Sequence, residues 1–379
     1  MYGVVDIGFG SHKTTNRDGT VQLKTSGIMD GSNAGSRIGF RGTEDLGGGL
    51  TASFVLEQGI SPVSADGYNK RVGGGQHQVD AASYAYTTGN NRQSYLGLGS
   101  KALGQFRIGY QYTNSYDLVA FNGLSPSEFQ GGNFQQGTAI MSGSSAPSIH
   151  PVGGRANAIT WISNNMGGVT IKAQYGQGAG RMTFEHNGTN GFNATAKANA
   201  KFMSLMAQYA QGPIYAAVAF TQSDQQTQAV AGQNAANAFG VLTAATATTN
   251  TTVRSVDAMS VGLSYDLGMA KVTYVGGRLD GPRSTSLTAD DVKTNQYAVF
   301  IPMGALTLSA STGNLKRTTG TTTDADVKGT YFGARYALSK RTTAYVLTGS
   351  EKNSAVTTSS ATAADYKDSK TVVGVSHSF

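Results

Sequence analysis

Apolar and polar residues alternate with a period of two along almost the whole chain, and this limits the fold more than any other feature. In Leu50–Gln58, Leu50, Ala52, Phe54 and Leu56 alternate with Thr51, Ser53, Val55 and Glu57. In Gln105–Thr113, Phe106, Ile108, Tyr110 and Tyr112 alternate with Arg107, Gly109, Gln111 and Thr113. Ser36–Glu44, Val169–Tyr175, Met259–Tyr265 and Leu306–Ala310 follow the same rule. Each segment has one apolar face and one polar or very small face, as a strand between two different environments requires. Helical spacing is hard to find. The best candidate, Ala229–Ala247, carries Gly232 and Gly240 and ends in a Thr run, so it reads as a loop.

The connections carry as much information as the strands. Short turns fall at 44–48, 101–103, 166–167, 212–213, 267–268, 302–304 and 339–340. Between the strand pairs lie longer polar stretches at 13–35, 61–91, 114–154, 177–199, 224–254, 280–293, 316–325 and 353–367. That pattern makes sixteen strands, seven short turns and eight long loops. A transmembrane β-barrel has this asymmetry, and an even strand number lets it close without an edge. A soluble β-sandwich is the alternative. It fits less well, because the second face carries Gly, Ser, Thr and isolated Arg and Lys, and loops of 31 and 41 residues are uncommon in compact domains.

Composition agrees. The 379 residues are 39% hydrophobic and 13% charged, both low against soluble domains, and 51 are glycine. The mean hydropathy of −0.24 is that of a polar chain, but a barrel needs apolar residues only on its lipid-facing half. Without cysteine there is no disulfide framework, thiol nucleophile or Cys-ligated zinc. No apolar run is long enough for a transmembrane helix. The net charge of +7 is spread rather than clustered, which admits an anionic partner and argues against nucleic acid. His12, His77, His150, His186 and His377 show no metal-ligand spacing, and Gly73–Gly75 lacks a phosphate-loop context. No enzymatic activity, catalytic residue, metal site or cofactor is expected.

Five blocks in order resemble the general bacterial porin family of Gram-negative outer membranes, particularly its β-proteobacterial branch. They are Tyr2–Gly8, Ser36–Gly47 (SRIGFRGTEDLG), Arg92–Leu98 (RQSYLGL), Tyr336–Thr342 (YALSKRT) and Val373–Phe379 (VGVSHSF). The blocks span the chain, so the resemblance implies one domain over 1–379. It implies a homotrimer of 16-stranded antiparallel barrels in the outer membrane, in contact with outer-membrane lipid and lipopolysaccharide. It also implies a third loop, about 114–154, folded into the lumen as a constriction. That loop holds Asp117 and Glu128 as its only acidic residues and has no Lys or Arg.

The resemblance carries a basic constriction cluster onto Arg37, Arg92 and Arg155, facing the acidic third loop. Alternation independently turns Arg37 inward, and likewise Arg41 and Arg107. Arg92 shares a face with Leu96 and Leu98, so a bulge or a less lipid-exposed stretch would be needed there. Further inward candidates are Lys172, Lys271 and Arg335, against Asp6 and Glu57. The sequence departs from the family in the third-loop core Ser125–Gly132, at Gly109-Tyr110 where Gly-Arg is common, and at Ser376 where Arg is frequent. The expected function is passive diffusion of small hydrophilic solutes and ions, with a weak to moderate preference for anions. The alternatives are a substrate-specific channel for a small organic anion and a structural or adhesive barrel. The arginines could instead be solvated wall residues or braces for the third loop. Tyr175, Tyr209, Tyr265, Tyr345 and Phe379 are expected in interfacial girdles.

Overall fold

The computed structural model describes residues 1–16, 19–63, 91–120, 154–177, 200–228, 251–281, 290–319, 322–354 and 367–379. The strand segments are β1 (Tyr2–Thr15), β2 (Val21–Asp30), β3 (Arg37–Gly47), β4 (Leu50–Gly59), β5 (Asn91–Ser100), β6 (Gly104–Tyr112), β7 (Arg155–Ile162), β8 (Val169–Gln177) and β9 (Ala200–Gln211). They continue with β10 (Ile214–Gln228), β11 (Thr251–Asp266), β12 (Lys271–Gly281), β13 (Asp290–Met303), β14 (Leu306–Thr319), β15 (Thr322–Ala337), β16 (Thr342–Asn353) and β17 (Lys367–Ser378). One helix, α1 (Asn114–Ala120), follows β6.

All pairings are antiparallel between neighbours, and β17 returns to β1 from Val4↔Ser378 to Thr15↔Lys367. Gly3 and Phe379 lock the seam, with Gly3 N–H donating to Phe379 O at 3.0 Å and Phe379 N–H donating to Gly3 O at 3.1 Å. β2 and β3 both pair with β1. The register steps from Ile7↔Asp30 to Val4↔Arg37, so six residues (31–36) stand opposite two (Val5 and Asp6). The two segments are therefore halves of one interrupted strand, and the barrel is closed and 16-stranded.

The seven short turns lie at one end with both termini. Gly212 and Gly304 take φ of 58° and 63°, the left-handed backbone that such tight turns need. At the other end the strands run further than alternation suggests. β1 and β2 occupy most of 13–35, and only two residues separate β14 from β15 where 316–325 reads as a loop. These stretches are rich in Thr, which favours extended backbone whether or not lipid covers it.

The outer face carries Phe9, Ile28, Phe40, Leu96, Ile108, Met203, Leu205, Phe220 and Val373, all exposed on the isolated chain. The inner face carries Asp6, Glu57, Gln174, Ser204, Thr221, Ser260 and Gln296, all buried. Toward the loop end of β11–β15 the pattern reverses. Val256, Leu279, Val292, Leu315 and Val327 are buried on the inner face in one apolar cluster, while Asp257, Arg278 and Lys293 point outward. That reversal marks where the strands leave the hydrocarbon. Tyr175 and Tyr265 are exposed on the outer face as expected of girdle residues, but Tyr345 is only 2% exposed and faces inward. Its neighbour Val346 takes the lipid side, so period two turns Tyr345 in.

Candidate functional site: an arginine cluster on the inner wall

Arg37 opens β3, and Glu57 lies near the end of β4, two residues before the Arg37↔Gly59 pair. Glu57 is buried and serves as a shared acceptor. Arg92 Nε donates to its Oε1 at 2.7 Å, and the Tyr2 hydroxyl donates to its Oε2 at 2.9 Å. Arg37 Nε lies 3.6 Å from the same Oε2. Tyr2 reaches Glu57 by lying flat across Gly39, where a Cβ would sit 2.6 Å from the Tyr2 Cζ. Arg41 stacks over the other side of this arrangement, 5.0 Å from the Tyr2 ring centroid.

Arg92 joins because β5 carries the bulge that its sequence position requires. Glu57 pairs with Gln93 and Gln58 with Asn91, so Arg92 is the extra residue. Its Nη2 also donates to the Tyr112 hydroxyl at 3.1 Å. Tyr112 in turn stacks on Tyr116 of α1, with centroids 5.2 Å apart and planes 4° from parallel. The Arg155 guanidinium lies 5.0 Å from the Tyr112 ring and 5.7 Å from the Tyr116 ring. Arg37, Arg92 and Arg155 thus meet around one carboxylate and one phenol. Among the described residues, the three guanidiniums and Glu57 sum to 3 − 1 = +2.

α1 lies on the inner wall beside this cluster. Asn114 Nδ2 donates to Lys172 O and Ser204 O, each at 3.3 Å, and Ser115 Oγ meets Thr221 Oγ1 at 3.1 Å. Leu118 is fully buried against Met206, Ala217, Ala219 and Val275. Asp117 forms an ion pair with Lys172. The rest of the stretch 114–154 up to residue 153, Glu128 included, lies outside the described residues.

The remaining basic candidates do not join the cluster. Arg107 stays on the inner face, 5.0 Å from the Tyr95 ring, with its Nε donating to Gln105 Oε1 at 2.8 Å. Arg335, on β15, instead donates to Asn33 Oδ1 of the 31–36 insertion at 2.7 Å and to Ser309 Oγ at 3.0 Å. Lys271 is next to a short turn, in register with Asp266. Asp6 is fully buried and holds the 31–36 insertion, accepting from the amides of Asn33 (2.8 Å) and Ala34 and from the Tyr345 hydroxyl. Tyr2, Tyr112 and Tyr116 are members that alternation does not reveal. A strand-end tyrosine directly before the longest polar stretch is the one sequence signal that points to Tyr112.

A family model described as Gram-negative porin matches residues 1–356. An outer membrane porin protein of Bordetella pertussis is 28% identical over 402 residues, covering 100% of this chain and 94% of the relative. Outer membrane porin protein 32 of Delftia acidovorans is 27% identical over 307 residues, covering 78% and 67%. Among solved structures, an anion-selective porin from Comamonas acidovorans superposes with a TM-score of 0.63 at 22% identity, covering 100% of this chain and 98% of the other. The trimer form of OmpT, an outer membrane protein of Vibrio cholerae, superposes with a TM-score of 0.59 at 14% identity, covering 100% and 99%.

Proposed function

The chain belongs to the Gram-negative porin family, and on that premise we propose that this outer-membrane channel favours anions and works as a homotrimer. It is a passive pore and not an enzyme. Small hydrophilic solutes cross it by diffusion, and the basic cluster biases which ions do so. The observation that carries this reading is the meeting of Arg37 and Arg92 at the carboxylate Glu57, with Arg155 stacked on Tyr112, the phenol that Arg92 also contacts. The local excess of positive charge lowers the barrier for an anion and raises it for a cation. Arg41 and Arg107, on the same stretch of inner wall, add to that bias. α1 rests on the inner wall of β9–β11 with Tyr116 beside Arg155, and it narrows the lumen next to the cluster. The relative from Comamonas acidovorans, described as anion-selective, supports the same sign.

Reversal potential under a KCl gradient tests this. Chloride is expected to be more permeant than potassium, and Arg37→Ala with Arg155→Ala should move the ratio several-fold toward cations. A cation-selective wild type would overturn the charge reading. Conductance that saturates with one organic anion would instead favour a substrate-specific channel, and a folded barrel with no conductance would favour a structural or adhesive one.

A further inference from the structure

A β-bulge adds one residue to a strand. Between β2 and β3, six residues (31–36) stand opposite two, so the surplus has to leave the sheet. It leaves toward the lumen. Asn33 N–H donates to Asp6 Oδ2 on β1 at 2.8 Å, and Asn33 Oδ1 accepts from Arg335 Nε on β15 at 2.7 Å. β17 and β16 lie between those two strands. At about 4.8 Å per strand, the insertion therefore reaches across roughly 14 Å of inner wall. Asp6 and Tyr345, which have almost no exposure, form its seat. The Tyr345 side chain crosses β17 over Gly374, where a Cβ would sit 2.5 Å from Tyr345 Cζ, and its hydroxyl donates to Asp6 Oδ1.

The insertion holds a guanidinium at each end. Arg335 is fixed by Asn33 and by Ser309 Oγ at 3.0 Å, and Gly333 leaves it room, since a Cβ there would sit 2.8 Å from Arg335 Nη1. Asn33 and Ser309 are uncharged, so these bonds orient the guanidinium without cancelling its charge. At the other end Arg37 Nη1 donates to Gly35 O at 2.9 Å. Asn33 and Gly35 are two residues apart, at most about 7 Å of chain, so an ion that passes the insertion passes both guanidiniums. Asn33, Ala34, Arg37 and Arg335 all keep partial exposure. α1 rests on β9–β11. With β2 and β3 counted as one strand, six strands separate β10 from β17 one way round the barrel and eight the other. The insertion and α1 thus enter the lumen from nearly opposite walls.

We propose that residues 31–36 are a second element that narrows the ion path, and that Asn33 is the positioning residue that sets Arg335 there as a selectivity residue apart from the Arg37, Arg92 and Arg155 cluster. The assignment rests on the passive-pore reading, but not on the sign of the wild-type preference. Reversal potentials of the full-length folded protein in planar bilayers test it. Arg335→Gln should lower the chloride-to-potassium permeability ratio roughly twofold to twentyfold in 0.1 M KCl and by less than about twofold in 1 M. Asn33→Ala leaves every charge in place and should lower the ratio too, while adding it to Arg335→Gln should lower the ratio no further. Ala34→Cys gives the chain its sole cysteine. Labelling it with a sulfonatoethyl methanethiosulfonate should lower the ratio, a trimethylammonium-ethyl reagent should raise it, and both should reduce the single-channel conductance. An unchanged ratio in folded Arg335→Gln, additive effects of the two substitutions, or an Ala34→Cys channel whose current neither reagent alters would overturn the proposal. A cation-selective wild type that Arg335→Gln makes more so would overturn the anion preference and support this assignment. An anion-selective channel that responds to Arg37→Ala with Arg155→Ala but not to Arg335→Gln would overturn this assignment alone.

Discussion

Replacing Glu57 with Gln isolates the electrostatic argument, because it keeps the side-chain size and removes one negative charge from the centre of the cluster. The local sum of Arg37, Arg92, Arg155 and Glu57 rises from +2 to +3. One unit charge acts on an ion ~8 Å away with about 0.5 kcal/mol at the dielectric constant of water and about 2 kcal/mol at an effective value near 20. In 0.1 M salt the Debye length of about 10 Å leaves a little under half of that. The change favours the anion and disfavours the cation together, so the chloride-to-potassium permeability ratio should rise roughly twofold to twentyfold. In 1 M salt, where the Debye length is about 3 Å, the same substitution should move the ratio by less than about twofold. Reversal potentials in planar bilayers at both concentrations measure this, with the shift in gel mobility between unheated and boiled protein confirming a folded barrel. A folded variant with an unchanged ratio at low salt would show that Glu57 does not sense the ion path. An equal shift at both concentrations would show that the effect is steric and not electrostatic.

Two further substitutions test the supports of the site. Leu118→Ala removes a fully buried side chain from the contact of α1 with the wall; at about 2–5 kcal/mol for such a truncation, α1 should loosen and open-channel current noise should rise, and quiet currents would refute the anchoring role. Asp6→Ala leaves the amides of Asn33 and Ala34 and the Tyr345 hydroxyl without their shared acceptor. At about 1–3 kcal/mol per orphaned group, the temperature at which the folded gel band disappears should fall by several degrees, and an unchanged temperature would refute the role of Asp6 in holding the insertion.

Most of the barrel was legible because its signals are local. Each short turn lies between segments whose alternation already names the lipid side, so turn positions and the inward aim of Arg37, Arg41 and Arg107 follow from sequence. Strand length was not legible. Alternation was read as apolar-out, and above the bilayer the sign reverses, as at Leu279 between Arg278 and Asp280, so polar strand ends in 13–35 and 316–325 pass for loops. The insertion at 31–36 is not legible because the half-strand before it, β2, lies inside the polar stretch 13–35 that passes for a loop. For Arg92 alternation leaves a bulge or a less lipid-exposed stretch open, and the structure has the bulge. Arg155 is the harder case. Alternation groups it with Asn157 and Ile159 on the outer side, and only the stacking on Tyr112 and on Tyr116 of α1 connects it to the cluster. That contact crosses some forty residues of chain, which no local pattern encodes.

The whole-chain charge of +7 is a poor guide to the field an ion meets. Lys13, Lys24, Lys328, Lys352 and Lys367, exposed on the outer face of β1, β2, β15, β16 and β17, contribute five positive charges to that sum, but they stand outside the barrel, where salt screens them within a Debye length of about 8 Å. Inside, the carboxylates are not free to cancel the arginines at a distance. Asp6 is enclosed by amides and a phenol, Asp117 is held by Lys172, and Glu57 is shared by two guanidiniums. Around α1 and β3–β8, the inward group of Arg37, Arg41, Arg92, Arg107, Arg155 and Lys172 against Glu57 and Asp117 sums to 6 − 2 = +4. Removing three outer lysines and removing three inner arginines change the net charge of the chain equally. Only the second change acts within a Debye length of the permeating ion, so only it should reverse the selectivity, and the placement of charge, not its total, sets the preference of the pore.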